Sequence, residues 1–294
     1  MAAAATTLRI RSGDLFLAAR EHSPAGPGRP TVVLVHGYPD QQDVWDVLLS
    51  RLPLDAWHVV TYDVRGAGSS DVPVHLDGYR TERLVDDLVA VLDATSGDEA
   101  VHLVGHDWGS VQLWDAVAAE ATDPRLRGRI ASFTSVSGPS LDHSGWIARH
   151  ARGRRLGLLR QLLHSWYVYL FHIPRLPDLV WHRAHRRLAR LVEAREGLPR
   201  GHWGDELGPN AANGLNLYHA NFGRRIRRTT PFRTDVPVLV VHPERDNYLT
   251  GVLLEDLDVP CSNARLESVD AGHWAIVTHA DVLARLVREH VENH

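Results

Sequence analysis

Residues Val104 to Ser110 read VGHDWGS, an aspartate set between glycines at 105 and 109. The preceding AVHLV is a short apolar run with β-branched residues, and the following WGSVQLWDAVAAEAT spaces its apolar positions as a helix does. Strand, tight turn and helix therefore follow one another. With serine at the centre this would be G-x-S-x-G, the strained elbow that presents a hydrolytic nucleophile; here Asp107 stands in that place. A residue forced onto so sharp a turn needs neighbours without Cβ atoms, which gives both glycines a steric reason. A plainer reading, in which Asp107 only caps the helix beginning at Trp108, suits the pentapeptide equally well. The rest of the chain has to separate the two.

Upstream, LRIRSG and LFLAAREHS alternate as a hairpin would, and the Pro/Gly-rich SPAGPGRP connects them to TVVLVHGYP, a buried strand ending in a turn. A helical stretch DVWDVLLSRL, the strand HVVTYDV and the amphipathic helix YRTERLVDDLVAVLDAT precede the elbow, and IASFTSVSG follows it as another strand. Such alternation predicts a mostly parallel sheet covered by helices on both faces. It stops at GPSLDHSGW. From there to Arg228 the segments read as helical, rich in Arg, Trp and Tyr, and broken at Pro174, Pro177, Pro199 and Gly204. The alternation resumes at VPVLVVHPE, continues through ARLESVDAG, and ends on the helix AIVTHADVLARLVREHVENH. The simplest organisation is a core domain of residues 1–139 and 233–294 interrupted by a helical cap, residues 140–232, with no internal repeat.

With 294 residues, 44% of them hydrophobic, the chain is large enough for an α/β core with an insertion. No apolar run approaches the roughly 20 residues that span a bilayer, and MAAAATTLRIRSGD lacks the charged and apolar regions of a leader, so a cytoplasmic protein without stable membrane insertion is expected. The single cysteine, Cys261, excludes an internal disulfide and a cysteine-rich metal site. All 32 basic residues are arginine. Between Ser140 and Phe232 there are 16 arginines against 6 acidic residues, so a basic cap sits in an acidic remainder. A solvated helical surface accounts for such a stretch, and so does attraction to an acidic partner, a membrane surface or an anionic substrate. A homodimer through the cap is also compatible with it, and nothing in the pattern calls for nucleic acid.

A nucleophile at 107 needs partners at later strand ends on the same sheet edge. VPVLVVHPE is followed by Asp246, with Glu244 as a nearby alternative, and ARLESVDAG is followed at once by His273. Carboxylate and histidine thus come in the expected order.

Five motifs now fall in sequence: HGYPD at 36 to 40, DVRGAGSS at 63 to 70, GHDWG at 105 to 109, ERDNY at 244 to 248 and AGHW at 271 to 274. In these the chain resembles the α/β-hydrolase fold, and within it the epoxide hydrolases and their relatives the haloalkane dehalogenases. The resemblance implies a mostly parallel central sheet with helices on both faces and an inserted helical cap. It makes Asp63, Arg65, Gly66 and Gly68 a structural turn. It also implies no cofactor and no metal, and a small-molecule epoxide as the substrate. A carboxylate, already ionised at neutral pH, displaces at a saturated carbon and leaves an alkyl ester. His273, oriented by Asp246, would then activate water against that ester. By resemblance the backbone N–H groups of Tyr38 and Trp108 serve as oxyanion donors, and His36 and Pro39 border the substrate pocket.

Ring opening leaves an alkoxide that needs a proton or a strong hydrogen bond. Tyr167, in SWYVYLFHIP, and Tyr218, in NLYHAN, resemble the two cap tyrosines that supply it in epoxide hydrolases, with Tyr169 competing if that helix is registered differently. A dehalogenase would use the same Asp107, His273 and Asp246 and find halide donors in Trp108 and in a cap tryptophan such as Trp146, Trp166, Trp181 or Trp203; Tyr38 in the HG-x-P turn weakens that alternative. A non-catalytic ligand-binding protein on the same fold is the alternative from another class. The stretch FTSVSGPSLDHSGW, with DVRGAG, further resembles the hydrolase part of bacterial proteins fused to a short-chain dehydrogenase, although no G-x-G-x-x-G unit occurs in these 294 residues. Asp40 stands where HG-x-P is often followed by Glu, which leaves the chemistry unchanged and the specificity open.

Overall fold

The computed structural model describes residues 5–294; the first four, at the head of the segment read as lacking a leader, lie outside the described residues. Eight strands form one sheet: β1 (Thr6–Ser12), β2 (Leu15–Glu21), β3 (Thr31–Val35), β4 (His58–Tyr62), β5 (Val101–His106), β6 (Ile130–Val136), β7 (Val238–Pro243) and β8 (Ala264–Val269). Their spatial order is β1-β2-β4-β3-β5-β6-β7-β8. The β1–β2 hairpin and the β2–β4 pair are antiparallel, and every pair from β4 to β8 is parallel.

Side chains alternate across this sheet with period two. On β3, Val33 and Val35 enter one apolar layer while Val32 and Leu34 enter the other; on β7, Val238 and Val240 oppose Leu239 and Val241 in the same way. Helices α1 (Asp46–Leu49), α2 (Thr81–Thr95) and α3 (Trp108–Ala119) belong to the part of the chain before β6. Leu84, Leu88, Leu113 and Trp114 from α2 and α3 fill the first layer, and Leu48 and Leu49 from α1 help to fill the second. Every residue of β3, β4 and β5 is therefore buried, and valines and leucines fill most of their positions.

Between β6 and β7 the chain makes five helices: α4 (Leu141–Arg149), α5 (Arg155–His164), α6 (Trp166–Phe171), α7 (Leu176–Glu196) and α8 (Leu207–Arg227). The last two helices of the chain are α9 (Ala275–Thr278) and α10 (Ala280–Glu292).

Three sequence expectations need correction. The helix expected across DVWDVLLSRL is a 3-10 turn followed by the single-turn α1; the next bonds are again of the three-residue kind, and Pro53, with no N–H, stops any continuation. Pro177 does not break its helix; it lies in the first turn of α7, where a missing N–H costs nothing. The final helix is split at His279, whose backbone leaves the helical region while the neighbouring Thr278 hydroxyl bonds back to the Trp274 carbonyl at 3.1 Å.

The DVRGAGSS turn has a structural task. Asp63 accepts the backbone N–H groups of Gln42 at 2.8 Å and Ser69 at 2.9 Å, and Arg65 forms a buried two-pronged pair with Asp87 on α2. These bonds tie the loops after β3 and β4 together beside the carboxyl edge of the sheet.

Candidate active site

Four loops leave that edge and converge. Asp107 follows β5 with φ 50° and ψ −122°, a conformation that an L-residue holds only when its surroundings impose it. The close approach explains the flanking glycines: a Cβ on Gly105 would lie 2.6 Å from the Ser110 Cα, and one on Gly109 would run into the Val35 carbonyl. Strand and helix can meet at this angle only without those carbons.

Asp246, after β7, is buried and fixed from two sides. Its Oδ1 accepts the N–H groups of Tyr248 at 2.7 Å and Leu249 at 3.1 Å, while Oδ2 meets Nδ1 of His273 at 2.9 Å. The alternative Glu244 is exposed, so the histidine faces Asp246. The other ring nitrogen, Nε2, lies 3.6 Å from Oδ1 of Asp107. The Tyr38 N–H, in the turn after β3, donates to the second oxygen, Oδ2, at 2.8 Å, and the Trp108 N–H also supports this carboxylate. Asp107 thus has one oxygen held by backbone donors and one turned toward His273.

Electrostatics follow from burial. Asp107 is pushed up to about 6 by loss of water, against the opposing pull of His273 and of the Tyr38 and Trp108 N–H groups. For His273 burial works downward, but Asp246, its hydrogen bond and then Asp107 outweigh it and hold the imidazole up at about 9. Burial would raise Asp246 as well, yet the His273 charge and the three hydrogen bonds keep it below the usual carboxylate range. His106, buried beneath, is pushed down to about 4 by burial and by His273; in its neutral form it donates through Nε2 to the His273 carbonyl at 3.0 Å.

The helices supply aromatic walls. Tyr167 on α6 and Tyr218 on α8 stand edge to face with ring centres 6.0 Å apart, and Tyr218 packs 4.9 Å from Trp108 and 5.4 Å from Tyr38. Burial, with the Asp107 charge beside them, raises the pKa of both phenols and keeps them protonated. Tyr169 is 60% exposed on the opposite side of its short helix, so the register of α6 turns Tyr167 inward.

Two cavities open on either side of this pair. One of about 260 Å³ is bordered by Tyr38, Pro39, Phe171, Trp181 and Leu207, the other of about 410 Å³ by Trp108, Pro139, Leu158, Val168 and Phe222. Asp107, Tyr167, Tyr218 and Tyr248 border both. His36, expected at the pocket, borders neither. Its ring is buried, and Nε2 accepts the Val64 N–H at 2.9 Å, tying the loops after β3 and β4 together. Of the tryptophans between β6 and β7, Trp166 and Trp181 reach the first cavity; Trp146 stacks on His143 and His150 away from both, and Trp203 reaches the first but spends its indole N–H on Asp40 at 2.5 Å.

Three contributions escaped the sequence reading. Tyr248 lies in the quoted ERDNY and packs 4.7 Å from His273, where its proximity to Asp246 was the available signal. Glu196, the last residue of α7, is buried and accepts the His273 backbone N–H at 3.2 Å and the Asn247 side-chain amide at 2.9 Å. Asp40 binds the indoles of both Trp203 and Trp274. Among the described residues no group of three or more His, Cys, Asp or Glu stands close enough to hold a metal ion.

The family model for the alpha/beta hydrolase fold matches residues 30–156. The chain is 33% identical over 276 residues to "Probable oxidoreductase EphD" of Mycobacterium tuberculosis, covering 90% of this chain and 46% of that one. It therefore spans about half the length of that relative. With "Epoxide hydrolase 4" of Mus musculus it shares 30% identity over 302 residues, covering 95% of this chain and 77% of the other. The chain belongs to the epoxide hydrolase family of the α/β-hydrolase fold. A crystal structure of Bacillus megaterium epoxide hydrolase with an inhibitor superposes with a TM-score of 0.76 at 18% identity, over 97% of this chain and all of that one, which extends the agreement in fold to the helices between β6 and β7. In this epoxide hydrolase family member the eight-stranded sheet is the one expected from the strand and helix pattern.

Proposed function

We propose that this chain hydrolyses epoxides to vicinal diols through an ester on Asp107, with residues 140–232 acting as the cap that closes the site. The observation that carries the reading is the division of labour between the two Asp107 oxygens: Oδ2 rests on the Tyr38 N–H at 2.8 Å, and Oδ1 is turned toward His273 at 3.6 Å.

Oδ1 attacks one epoxide carbon as its C–O bond breaks. The departing oxygen takes a proton from the hydroxyl of Tyr167 or Tyr218, both raised in pKa by burial and so protonated at neutral pH. Water beside Nε2 then loses a proton to His273 and attacks Cγ of Asp107. Oδ2 becomes the oxyanion, held by the N–H groups of Tyr38 and Trp108, each such donor lowering the barrier by about 3 kcal/mol. Collapse releases the diol, restores the carboxylate and returns the proton from His273 to the phenolate.

Esterification also switches the base on. In the resting site the Asp107 charge helps to keep His273 protonated. Once Asp107 is an uncharged ester that support is gone, the imidazole pKa falls, and neutral His273 can accept the proton from water.

The two cavities meeting at Asp107 favour an epoxide with an apolar group on each ring carbon, one for each side. Intact mass of His273→Gln after incubation with such epoxides tests the proposal. The expected result is an adduct of the whole epoxide mass on Asp107, absent from Asp107→Ala. An adduct from halogenated alkanes that has lost its halogen would assign the site to dehalogenation, and no adduct from either set would refute nucleophilic turnover.

A further inference from the structure

The helices that cover the site expose what most proteins bury. Leu156, Leu159, Leu163, Trp166, Leu170 and Ile173 recur every three or four residues through α5 and α6, and their relative exposure runs from 36% to 69%. Leu176 and Leu179, at the start of α7, extend the patch at 41% and 46%. A contiguous apolar surface of this kind marks a contact.

Charge narrows the choice of what it contacts. Arg152, Arg155, Arg160 and Arg175 are exposed along the same stretch, and none forms an ion pair among the described residues. From residue 151 to residue 196 the acidic side chains are Asp178, Glu193 and Glu196, none of them exposed. A second copy of this chain docking face to face would bring arginine against arginine. An apolar slab with an anionic surface satisfies both halves of the pattern: leucines and a tryptophan enter the boundary between acyl chains and headgroups, and arginines rest on the phosphates.

The cavities open on the same face. Trp166, Leu170 and Leu176 border the first, and Leu162 and Tyr169, exposed at 53% and 60%, border the second. Whatever covers this face also covers both entrances.

We infer that the exposed face of α5, α6 and the start of α7 docks the protein on an anionic lipid bilayer, with both cavity mouths turned to the membrane. The attachment inferred is peripheral, an apolar face laid into the bilayer boundary; among the described residues no helix is long and apolar enough to cross a bilayer. Delivery of an apolar epoxide from the bilayer to Asp107 rests on the function proposed above; the docking does not.

The test is co-sedimentation of the full chain with vesicles of phosphatidylcholine alone or mixed with phosphatidylglycerol, at low and high salt. Binding to the anionic vesicles, weakened by salt, is expected. Leu159→Glu with Leu163→Glu should abolish it, and Arg155→Glu and Arg160→Glu should each lower the partition coefficient about fivefold or more. None of these four residues borders a cavity, so the variants should keep the rate on a short water-dissolved epoxide and lose it on one held in vesicles. Asp107→Ala should bind vesicles as the wild type does. Vesicle binding without turnover of any epoxide would refute the proposed function and leave the docking intact. A wild type that ignores anionic vesicles would overturn the inference, as would binding indifferent to the leucine and arginine changes. A solution dimer dissociated by Leu159→Glu with Leu163→Glu, without vesicle binding, would assign the face to a second copy.

Discussion

The sheet edge and the helices above it hold their shares of the site by different means. At the edge each side chain of the proposed triad is fixed by a polar contact: Asp246 by two backbone N–H groups, His273 by Asp246, and Asp107 by the Tyr38 N–H and its own strained backbone. Above it, Tyr167, Phe171 and Tyr218 meet edge to face at 5.1 to 6.0 Å, contacts that define a shape more than a set of atomic positions. Directional bonds place atoms for chemistry, and aromatic packing sets which molecule reaches them. The two halves should therefore fail differently when altered.

The largest effect belongs to the edge. Asp246→Asn keeps the volume but removes the charge that supports the imidazolium and reverses which nitrogen of His273 carries the proton. Turnover should fall on the order of 10³ to 10⁴-fold, with the ester accumulating, and stopped-flow kinetics with intact mass would check it. A loss below tenfold would mean that His273 does not work through Asp246.

On the helix side, Tyr167→Phe and Tyr218→Phe should each lower the ring-opening rate about 10- to 100-fold, and the double change should approach the full contribution of an acid catalyst, about 10²- to 10⁴-fold. Their packing is unchanged by loss of a hydroxyl, so the melting temperature should hold. Equal losses from Tyr169→Phe, whose ring is 60% exposed at the border of the second cavity, would sink the assignment.

The pH profile separates the two chemical steps at the edge itself. On the proposed mechanism Asp107 must be ionised to attack, and its pKa is raised to about 6, so kcat/KM should fall about tenfold per pH unit below that value. Hydrolysis of the ester needs neutral His273. In the free protein it titrates at about 9, and loss of the Asp107 charge lowers that, so single-turnover hydrolysis should rise with pH and level off below 9. A plateau at the same pH as the free imidazole would show that esterification leaves the base unchanged.

What was legible in the chain follows the same divide. Asp107, Asp246 and His273 each come within four residues of a strand's end, and strands announce themselves through local apolar runs, so order alone brought the three to one edge. The inward turn of Tyr167 over Tyr169 depends on helical phase in a short segment and needed coordinates. His36 reads like a pocket residue because it adjoins the HG-x-P turn, yet its ring serves the Val64 N–H. Glu196 left no local trace. It acts on a residue 77 positions away, through a helix end whose composition resembles any other basic surface helix. The exposed stripe on α5 and α6 was present as helical spacing, but spacing does not say which face meets water.

Glu196 also joins the two halves, since it ends α7 and accepts the N–H of His273 itself. Its charge raises the His273 pKa, and its second oxygen holds Asn247 in the loop that carries Asp246. Glu196→Gln removes the charge and one of the two bonds while keeping the size. It touches no substrate, so KM should hold while the ester-hydrolysis rate, read on its high-pH plateau where His273 is neutral, falls about 3- to 10-fold, the net scale of one lost hydrogen bond next to the base. The same change should move the imidazole titration downward, because one raising charge is gone. A helix end that only packed would leave that titration in place, and histidine ring resonances followed by NMR across pH distinguish the two. If the titration moves and the rate does not, the edge is self-sufficient and the helices contribute shape alone; if both move, α7 sets the reactivity of the base that it covers.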